Sequence, residues 1–272
     1  MEKPLFSIII PTLNEEKYLP TLLSCIQKQT EKEFEVIVVD GKSNDKTIEK
    51  TKEFIPAIEN LQILTSEKRN VSFQRNLGAE KALGSYLVFF DADIQIPRGF
   101  FHQLKQAIIK KKSVFLTTWV IPDSLLEKDN IATAVTNIYS EAAKAMDRPF
   151  AGGYCLIIQR DLFFHIGGFD PNIKIGEDHA FTIKCNDAGI KLTILKEPRV
   201  ILSMRRMRRY GYFTMASRYI RASALGLLRQ PIKEAIFEYP MGGEHYIEEG
   251  RKQPVSKFEA WLLERTKKVL ED

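Results

Sequence analysis

The sequence predicts an α/β protein with a mostly parallel sheet, because short apolar runs alternate with amphipathic stretches along its first half. The apolar runs are rich in β-branched and aromatic residues, as buried strands are. They predict strands at residues 6–10, 36–39, 86–90 and 114–116. Stretches with helical periodicity begin near Lys17, Lys46, Ser72 and Arg98. This order predicts a Rossmann-like sheet with helices on both faces.

The chain shows no internal repeat and no linker rich in Gly, Ser or Pro. We therefore expect one domain over residues 1–203, followed by a basic, mainly helical extension over residues 204–272. The extension becomes amphipathic from about Tyr210. Two interpretations of it are open: packing back on the domain, which we favour, and peripheral contact with a membrane surface.

Composition narrows the class of protein. With 44% hydrophobic and 28% charged residues, the chain is typical of a folded globular protein. Cys25, Cys155 and Cys185 are too few for a disulfide framework, which indicates a reducing compartment. No run approaches the roughly 20 apolar residues of a membrane span. We expect a cytoplasmic location, with a place at the inner face of the cell membrane left open.

Polar residues follow three of the predicted strands. The segments are "IIIPTLNEE" (8–16), "VIVVDGKSND" (36–45) and "VFFDADI" (88–94). Ligands of parallel sheets bind outside the carboxyl ends of the strands, so we expect one shared site there. Asp91 and Asp93 would point to the same side of an extended strand and converge on one divalent cation, Mn²⁺ or Mg²⁺. An acidic turn at the end of a strand is the alternative.

Two further motifs complete a pattern: "SFQRNLGAEKALGSY" precedes the acidic segment, and "GGFDPNIKIGEDHAF" (167–181) lies downstream. Together with the first two polar segments, these motifs occur in an order that resembles the family 2 glycosyltransferases of the GT-A fold, over residues 6–210. The resemblance implies transfer of a sugar from a nucleotide-diphospho-sugar to an acceptor hydroxyl, with inversion of configuration and a divalent metal.

The resemblance implies that Pro11, Thr12, Asn14 and Glu15 border the donor nucleotide, with Glu15 contacting the ribose. Capping of the following helix by Asn14 and Glu15 is the structural alternative. Asp40 matches the position that binds the nucleobase of the donor in this family.

One difference from the family pattern, one expected helix cap and one match concern the donor site. The second acid that often follows the base-binding aspartate is Gly41 here, which leaves the base open. Asp45 is expected to cap the next helix. Arg75, in the segment that includes Asn76 and Gly78, would pair with phosphate or hold the acidic segment in place, and Asp91 would border the donor nucleotide.

The resemblance places Gly152 and Gly153 under the donor sugar and Glu177 beside the sugar or the acceptor. Asp178 would be the catalytic base, since an acceptor hydroxyl must lose a proton as it attacks. The alternatives are a tight turn for the glycines and ordinary acidic residues at a helix N-terminus for the pair.

The segment "SMRRMRRYG" (203–211) resembles a basic segment after the last catalytic strand of some members. Arg205 and Arg206 are the pair we expect to bind a diphosphate, since guanidinium groups suit phosphate. A solvated basic face is the alternative. His179 is left without a role, as one histidine without a paired spacing indicates little.

The expected function is that of a metal-dependent glycosyltransferase with a UDP- or GDP-linked donor. The sequence leaves the class of acceptor open: the hydroxyl belongs to a glycan, a lipid-linked molecule or a small molecule. No nucleic-acid partner is expected. The alternative is a catalytically degenerate or non-enzymatic module that binds anionic membrane or nucleic acid through its arginines. A sugar-phosphate nucleotidyltransferase is disfavoured because "PTLNEE" lacks a glycine-rich phosphate loop.

Overall fold

The computed structural model describes residues 3–218 and 242–243. The named strands are β1 (Phe6–Thr12), β2 (Phe34–Asp40), β3 (Leu61–Thr65), β4 (Tyr86–Phe90), β5 (Phe115–Pro122), β6 (Cys155–Gln159) and β7 (Thr193–Leu202). The named helices are α1 (Leu19–Gln27), α2 (Thr47–Lys52), α3 (Val71–Lys81), α4 (Phe100–Lys111), α5 (Glu127–Ala145), α6 (Arg160–Ile166), α7 (Glu177–Asp187) and α8 (Arg205–Tyr210). Residues 212–218 are also helical.

The strands form one sheet in the order β3-β2-β1-β4-β6-β5-β7. Parallel pairs join β1 to β2 and β4, β2 to β3, and β5 to β7. Strand β6 runs antiparallel to both β4 and β5. The carboxyl ends of β1, β2, β4, β5 and β7 therefore lie at one edge of the sheet. This mixed α/β sheet confirms the predicted fold class.

Two apolar layers cover the sheet, and alternation along β1 shows how they form. Ile8 and Ile10 face one layer and Ile9 faces the other, since successive side chains of a strand point to opposite faces. The first layer includes residues of α1 and α4, and the second includes residues of α3, α6 and α7. All seven residues of β1 and of β2 are buried, which agrees with their continuous apolar runs.

The four predicted strands and the four predicted helix starts are all found close to their expected positions. The three cysteines lie in α1, β6 and α7 and are free thiols. Within the described ranges, no helix is both long and apolar enough to span a bilayer. Most of the predicted C-terminal extension lies outside the described residues, so its packing stays a prediction.

Candidate active site

Ionisable side chains gather at the edge of the sheet where β1 and β4 end. Two buried arginines, Arg75 and Arg205, each bind two carboxylates. The carboxylates of this site belong to Glu15, Asp91, Asp93, Glu177 and Asp178. Five acids thus share two buried arginines, and such a site favours additional positive charge.

Arg75 binds the acids of β4 and α7 together. Its Nη2 donates to Asp91 Oδ1 at 2.9 Å, and its Nη1 donates to Glu177 Oε1 at 2.8 Å. The side chain is only 2% exposed, and its guanidinium lies over the ring of Phe169. Burial alone would lower its pKa, but Asp91, Glu177 and Asp178 raise it. Arg75 is therefore a fixed cation between Asp91 and Glu177.

Helix α3 brings Arg75 to this position by close contact with the sheet. The helix begins at an N-cap, Asn70, whose side chain accepts a hydrogen bond from the Phe73 amide at 2.8 Å. At Gly78, a Cβ would lie 2.5 Å from Ile9 Cγ2. Only glycine permits this approach of α3 to β1, one turn beyond Arg75.

The backbone of Gly153 forms hydrogen bonds with both Arg75 and Asp178, the predicted catalytic base. Its carbonyl accepts from Arg75 Nη2 at 3.2 Å, and its amide donates to Asp178 Oδ2 at 2.6 Å. A Cβ at Gly153 would lie 2.5 Å from Arg75 Nη2, so a side chain there would displace the guanidinium. The neighbouring Gly152 lies against the ring of Tyr154. Gly153 hence meets Asp178 in space, across 25 residues of sequence.

Glu177 and Asp178 form the first turn of α7, where the helix dipole favours negative charge. Burial nevertheless raises the pKa of Glu177 to about 7, and the neighbouring Asp178 raises it further against the effect of Arg75. Burial also raises the pKa of Asp178. A carboxyl group with a raised pKa is a stronger proton acceptor once ionised.

Next to this pair, His179 is buried against the ring of Phe150, and burial lowers its pKa. Its Nε2 has no hydrogen-bond partner within the described part of the chain.

Arg205 lies between the loop after β1 and the turn after β4. Its Nη1 and Nη2 donate to the two oxygens of Glu15 at 2.9 and 2.7 Å, and its Nε lies 2.8 Å from Asp93 Oδ2. The guanidinium carbon lies 4.2 Å from the centre of the Tyr18 ring. With 5% exposure, Arg205 is not part of a solvated basic face, which was the alternative for this segment. Arg206 is only partly buried.

Burial raises the pKa of Glu15 to about 7, although Arg205 acts to lower it. Burial also raises the pKa of Asp93, and the nearby charge of Asp91 adds to this. The same acids raise the pKa of Arg205. One arginine is thus not enough to offset the cost of burying both carboxylates.

Asp91 and Asp93 lie in a turn, because β4 already ends at Phe90. The alternation of side chains along a strand therefore does not apply to them, which corrects the reason given for their convergence. Each carboxylate is held by a different arginine, yet they are close enough for the charge of Asp91 to raise the pKa of Asp93. Asp91 is 40% exposed and Asp93 16%, so the pair faces partly outward.

The loops after β1 and β2 hold one another. Asn14, in the left-handed region at φ 51°, accepts from the Asn44 amide through Oδ1 at 2.7 Å. Asp40 accepts from the amide and the hydroxyl of Ser43. Ser43 Oγ in turn accepts from the Asn14 amide at 2.8 Å. The Asn14 side chain thus binds Asn44 and that of Glu15 binds Arg205, and neither caps α1, whose N-cap is Tyr18.

Four further residues of this region have defined places. Pro11 pairs in register with Val39 inside the sheet. The Thr12 hydroxyl is buried without a partner among the described residues. Asp45 accepts from the Thr47 amide at the start of α2, although the N-cap residue itself is Lys46 and not the expected Asp45. A Cβ at Gly41 would lie 3.2 Å from the side chain of Gln74.

Two contacts of this region were not predicted. Gln74 Nε2 donates to the carbonyls of Thr12 and Val39, so it ties the ends of β1 and β2 together. Gly243 donates to the Leu13 carbonyl at 3.0 Å, and a Cβ there would lie 2.5 Å from Glu15 Oε2. Gln74 adjoins Arg75 in the quoted motif, which is the signal that could have identified it. No local pattern indicates a contact as distant as that of Gly243.

The acidic turn fits a divalent cation in part. Mg²⁺ is usually bound by one or two carboxylates, with water and phosphate oxygens completing its shell, and Asp91 and Asp93 supply that number. In residues 3–218 and 242–243, no group of three or more His, Cys, Asp and Glu side chains is arranged as a metal site. A bound cation would therefore depend on ligand oxygens as well as on the protein.

Known proteins that are similar to this chain are glycosyltransferases. The family model described as glycosyl transferase family 2 matches residues 7–167. The chain is 32% identical over 190 residues to a PGL/p-HBAD biosynthesis glycosyltransferase of Mycobacterium tuberculosis, covering 68% of this chain and 71% of the relative. It is 29% identical to a dolichyl N-acetyl-α-D-glucosaminyl phosphate 3-β-D-2,3-diacetamido-2,3-dideoxy-β-D-glucuronosyltransferase of Methanococcus voltae, covering 68% and 63%.

Solved structures share the fold. TarS 1–349 of S. aureus, in complex with UDP-GlcNAc, superposes with a TM-score of 0.60 at 24% identity, over 73% of this chain and 58% of that one. The chain thus spans just over half of that structure. The mannosyltransferase PcManGT of Pyrobaculum calidifontis, in complex with GDP-Man and Mn²⁺, gives 0.67 at 18% identity, over 88% and 67%. The resemblance in fold confirms the predicted GT-A architecture.

Proposed function

Because the chain belongs to glycosyltransferase family 2, we propose that it uses a divalent metal and inverts the configuration of the sugar it transfers from a nucleotide-diphospho-sugar to an acceptor hydroxyl. The observation that supports this most directly is the assembly of the acidic turn, the buried arginines and the acidic pair of α7 at one edge of the sheet. Open α/β sheets bind nucleotides at this edge.

Asp178 is the proposed catalytic base. Its two oxygens accept from the amides of Gly153 and His179, so the carboxylate is held in one orientation. Burial raises its pKa, which increases its affinity for the proton of an attacking hydroxyl. Glu177, fixed by Arg75, lies beside the donor sugar or the acceptor in this proposal.

The donor nucleotide would lie over the loops after β1 and β2. Thr12, Asn14, Glu15 and Asp40 border it, and the buried Thr12 hydroxyl needs a partner that the nucleotide would supply. Similar structures contain UDP-GlcNAc or GDP-Man, so both bases remain candidates for this chain.

Asp91 and Asp93 would hold the metal, with Asp91 also bordering the diphosphate. A divalent ion supplies positive charge that stabilises the departing nucleoside diphosphate. Arg205 and Arg206 are the proposed protein partners of that diphosphate, since Arg205 already lies in the site and Arg206 lies close enough to act on Glu15 and Asp93. In the described arrangement Arg205 binds Glu15 and Asp93, so donor binding would redistribute these contacts.

The acceptor hydroxyl belongs to a glycan, a lipid-linked molecule or a small molecule. A relative from Methanococcus voltae is named for a dolichyl-linked phosphate acceptor, which supports the lipid-linked class. The cytoplasmic location and a place at the inner face of the membrane stay predictions.

The test compares Asp178→Asn with Asp187→Asn, which changes an exposed acid at the other end of the same helix. Slow hydrolysis of UDP-GlcNAc or GDP-Man measures turnover without a known acceptor, and calorimetry with UDP or GDP measures donor binding. We expect Asp178→Asn to keep nucleotide affinity while turnover falls by about 10²–10⁴-fold, the usual contribution of a general base. Unchanged turnover in Asp178→Asn would contradict its assignment as the base.

A further inference from the structure

Helix α5 turns its polar residues towards the protein. Four polar residues of this helix are buried: Asp129, Thr133, Asn137 and Ser140. They are spaced three or four residues apart, so they share one face. In a helix of a globular protein the buried face is normally the apolar one. The buried face of α5 is therefore polar, which is the reverse of the usual arrangement.

An open edge of β5 explains the buried polar face. Strand β5 pairs with β6 only at Phe115 and Leu116, so later residues of β5 have no ladder partner on that side. Asn137 replaces the missing strand: its Nδ2 donates to the Val120 carbonyl and its Oδ1 accepts from the Val120 amide, both at 2.9 Å. Buried backbone groups need such partners. The reversal thus has a structural cause on the inner face.

The outer face of α5 carries large apolar side chains for which the fold gives no such reason. Val135 is 59% exposed, Ile138 67% and Met146, just after the helix, 63%. The preceding loop adds Leu125 at 100% and Leu126 at 48%. Of the eleven exposed large hydrophobic residues in the described part of the chain, six lie between residues 121 and 146, so they are concentrated rather than scattered. We define the α5 surface as five of these six: Leu125, Leu126, Val135, Ile138 and Met146.

Aromatic side chains connect helix α5 to the helix that carries the proposed catalytic base. Tyr139 of α5 packs against Phe150 with ring centres 5.4 Å apart, and Phe150 packs against His179 at 5.6 Å. His179 directly follows Asp178 in the chain. The loop with Leu125 follows β5, whose carboxyl end lies at the active-site edge. The helix that carries the α5 surface is thus linked to the neighbour of the proposed base, Asp178, through two ring contacts.

A strongly basic segment lies beside the first turn of α5. Residues 198–218 contain six arginines and no acid. Within this segment, Tyr212 contacts Asp129 through its hydroxyl, and the Lys128 ammonium lies 4.8 Å from the centre of the Tyr212 ring. Arg208 forms an ion pair with Asp123 in the loop before α5. Arg208 is offset by Asp123 and Asp129, so the exposed positive charge beside the apolar surface comes from Lys128 and Arg209.

We propose that the α5 surface docks on an anionic lipid bilayer, with the helix lying in the plane of the membrane surface. Exposed apolar side chains would enter the interface, and the exposed Lys128 and Arg209 would face anionic headgroups. A second copy of the chain fits less well, because a two-fold interface here would bring two arginine-rich segments together. Docking would place the proposed active site at the membrane surface.

The test measures binding of the full chain to vesicles, without donor or acceptor, so it does not depend on the proposed function. Vesicles of phosphatidylcholine alone are compared with vesicles that also contain phosphatidylglycerol, by co-sedimentation. The variant is Val135→Ser with Ile138→Ser. The control is Ile109→Ser, which changes an isoleucine of α4 with 68% exposure, matched to the 67% of Ile138.

We expect binding only to the anionic vesicles and a loss of about ten-fold or more in the double variant, since each apolar side chain contributes to interfacial binding. The control should bind like the wild type. Equal binding by the double variant and the wild type would overturn the proposal, as would absence of binding to anionic vesicles. Sedimentation equilibrium supplies the second readout: a dimer that the double variant dissociates would assign the surface to a second copy and also overturn it.

Discussion

Replacing Glu177 by Gln should change how the stability of the protein depends on pH. Burial raises the pKa of Glu177 to about 7 from its ordinary value of 4.5. Glutamine resembles the protonated glutamic acid in shape and charge, and it can still interact with Arg75 through its amide oxygen. The variant therefore removes the cost of ionising a buried carboxyl group while keeping most contacts.

The pKa difference gives the size and the sign of the effect. Each unit of pKa is worth about 1.4 kcal/mol, so a rise of about 2.5 units corresponds to about 3 kcal/mol. The folded protein holds the proton more tightly than the unfolded chain does. The wild type thus loses this stability as pH rises from about 4.5 to about 7, whereas the variant does not. Relative to the wild type, Glu177→Gln should gain about 3 kcal/mol between pH 5 and pH 8, allowing for the coupling to Asp178.

Urea denaturation at a series of pH values from about 5 to about 8 measures the free energy of unfolding of both proteins. The control is Glu80→Gln, which changes an exposed glutamate on α3. Its difference from the wild type should stay constant over the series. A pH-independent difference for Glu177→Gln would refute the reasoning, and a loss of stability at high pH would show that the Arg75 ion pair outweighs burial.

Three further changes test the surrounding structure. Gly153→Ala should displace the Arg75 guanidinium, because the new Cβ would lie 2.5 Å from its Nη2; turnover should fall at least about ten-fold, and unchanged turnover would contradict this. Arg75→Met leaves buried acids without their cation and should cost about 3–5 kcal/mol in urea denaturation; a loss below about 1 kcal/mol would exclude a strong ion pair. Asn137→Leu leaves both backbone groups of Val120 without partners and should cost about 2–4 kcal/mol; a neutral result would show that water replaces the amide.

The parts of the fold that sequence predicts are the strands buried on both faces. Strands β1, β2 and β4 are continuous apolar runs, and hydrophobicity alone locates them. Strand β3 is partly exposed at the edge of the sheet, with the mixed sequence LQILT, and it is not predicted. Helix α5 is also not predicted, and its apolar spacing would have suggested the wrong buried face, because tertiary contacts with β5 determine which side is inside.

In the site, too, short motifs predict some residues, whereas contacts between distant parts of the chain are not predicted. Motifs identify Arg75, the acidic turn and the acidic pair of α7, and the structure brings them together. The pairing of Arg205 with Glu15 joins residues 190 positions apart, and no local pattern encodes such a contact. From the sequence, phosphate was the expected partner of the Arg205 guanidinium. In the structure, the guanidinium binds the carboxylates of Glu15 and Asp93. Its role towards a diphosphate therefore stays a proposal.

The central claim is that the acidic turn helps bind a nucleotide diphosphate through a divalent cation. Thermal unfolding with UDP, GDP, CDP or TDP, each with and without Mn²⁺, tests it in the wild type, in Asp93→Ala and in Asp161→Ala, a control at an exposed acid. Saturation at about 100 times the dissociation constant adds about 2.7 kcal/mol, a shift of a few degrees. We predict a Mn²⁺-dependent shift with one nucleotide that Asp93→Ala abolishes and Asp161→Ala keeps. An equal shift in Asp93→Ala, or no shift with any of the four nucleotides, would contradict the claim.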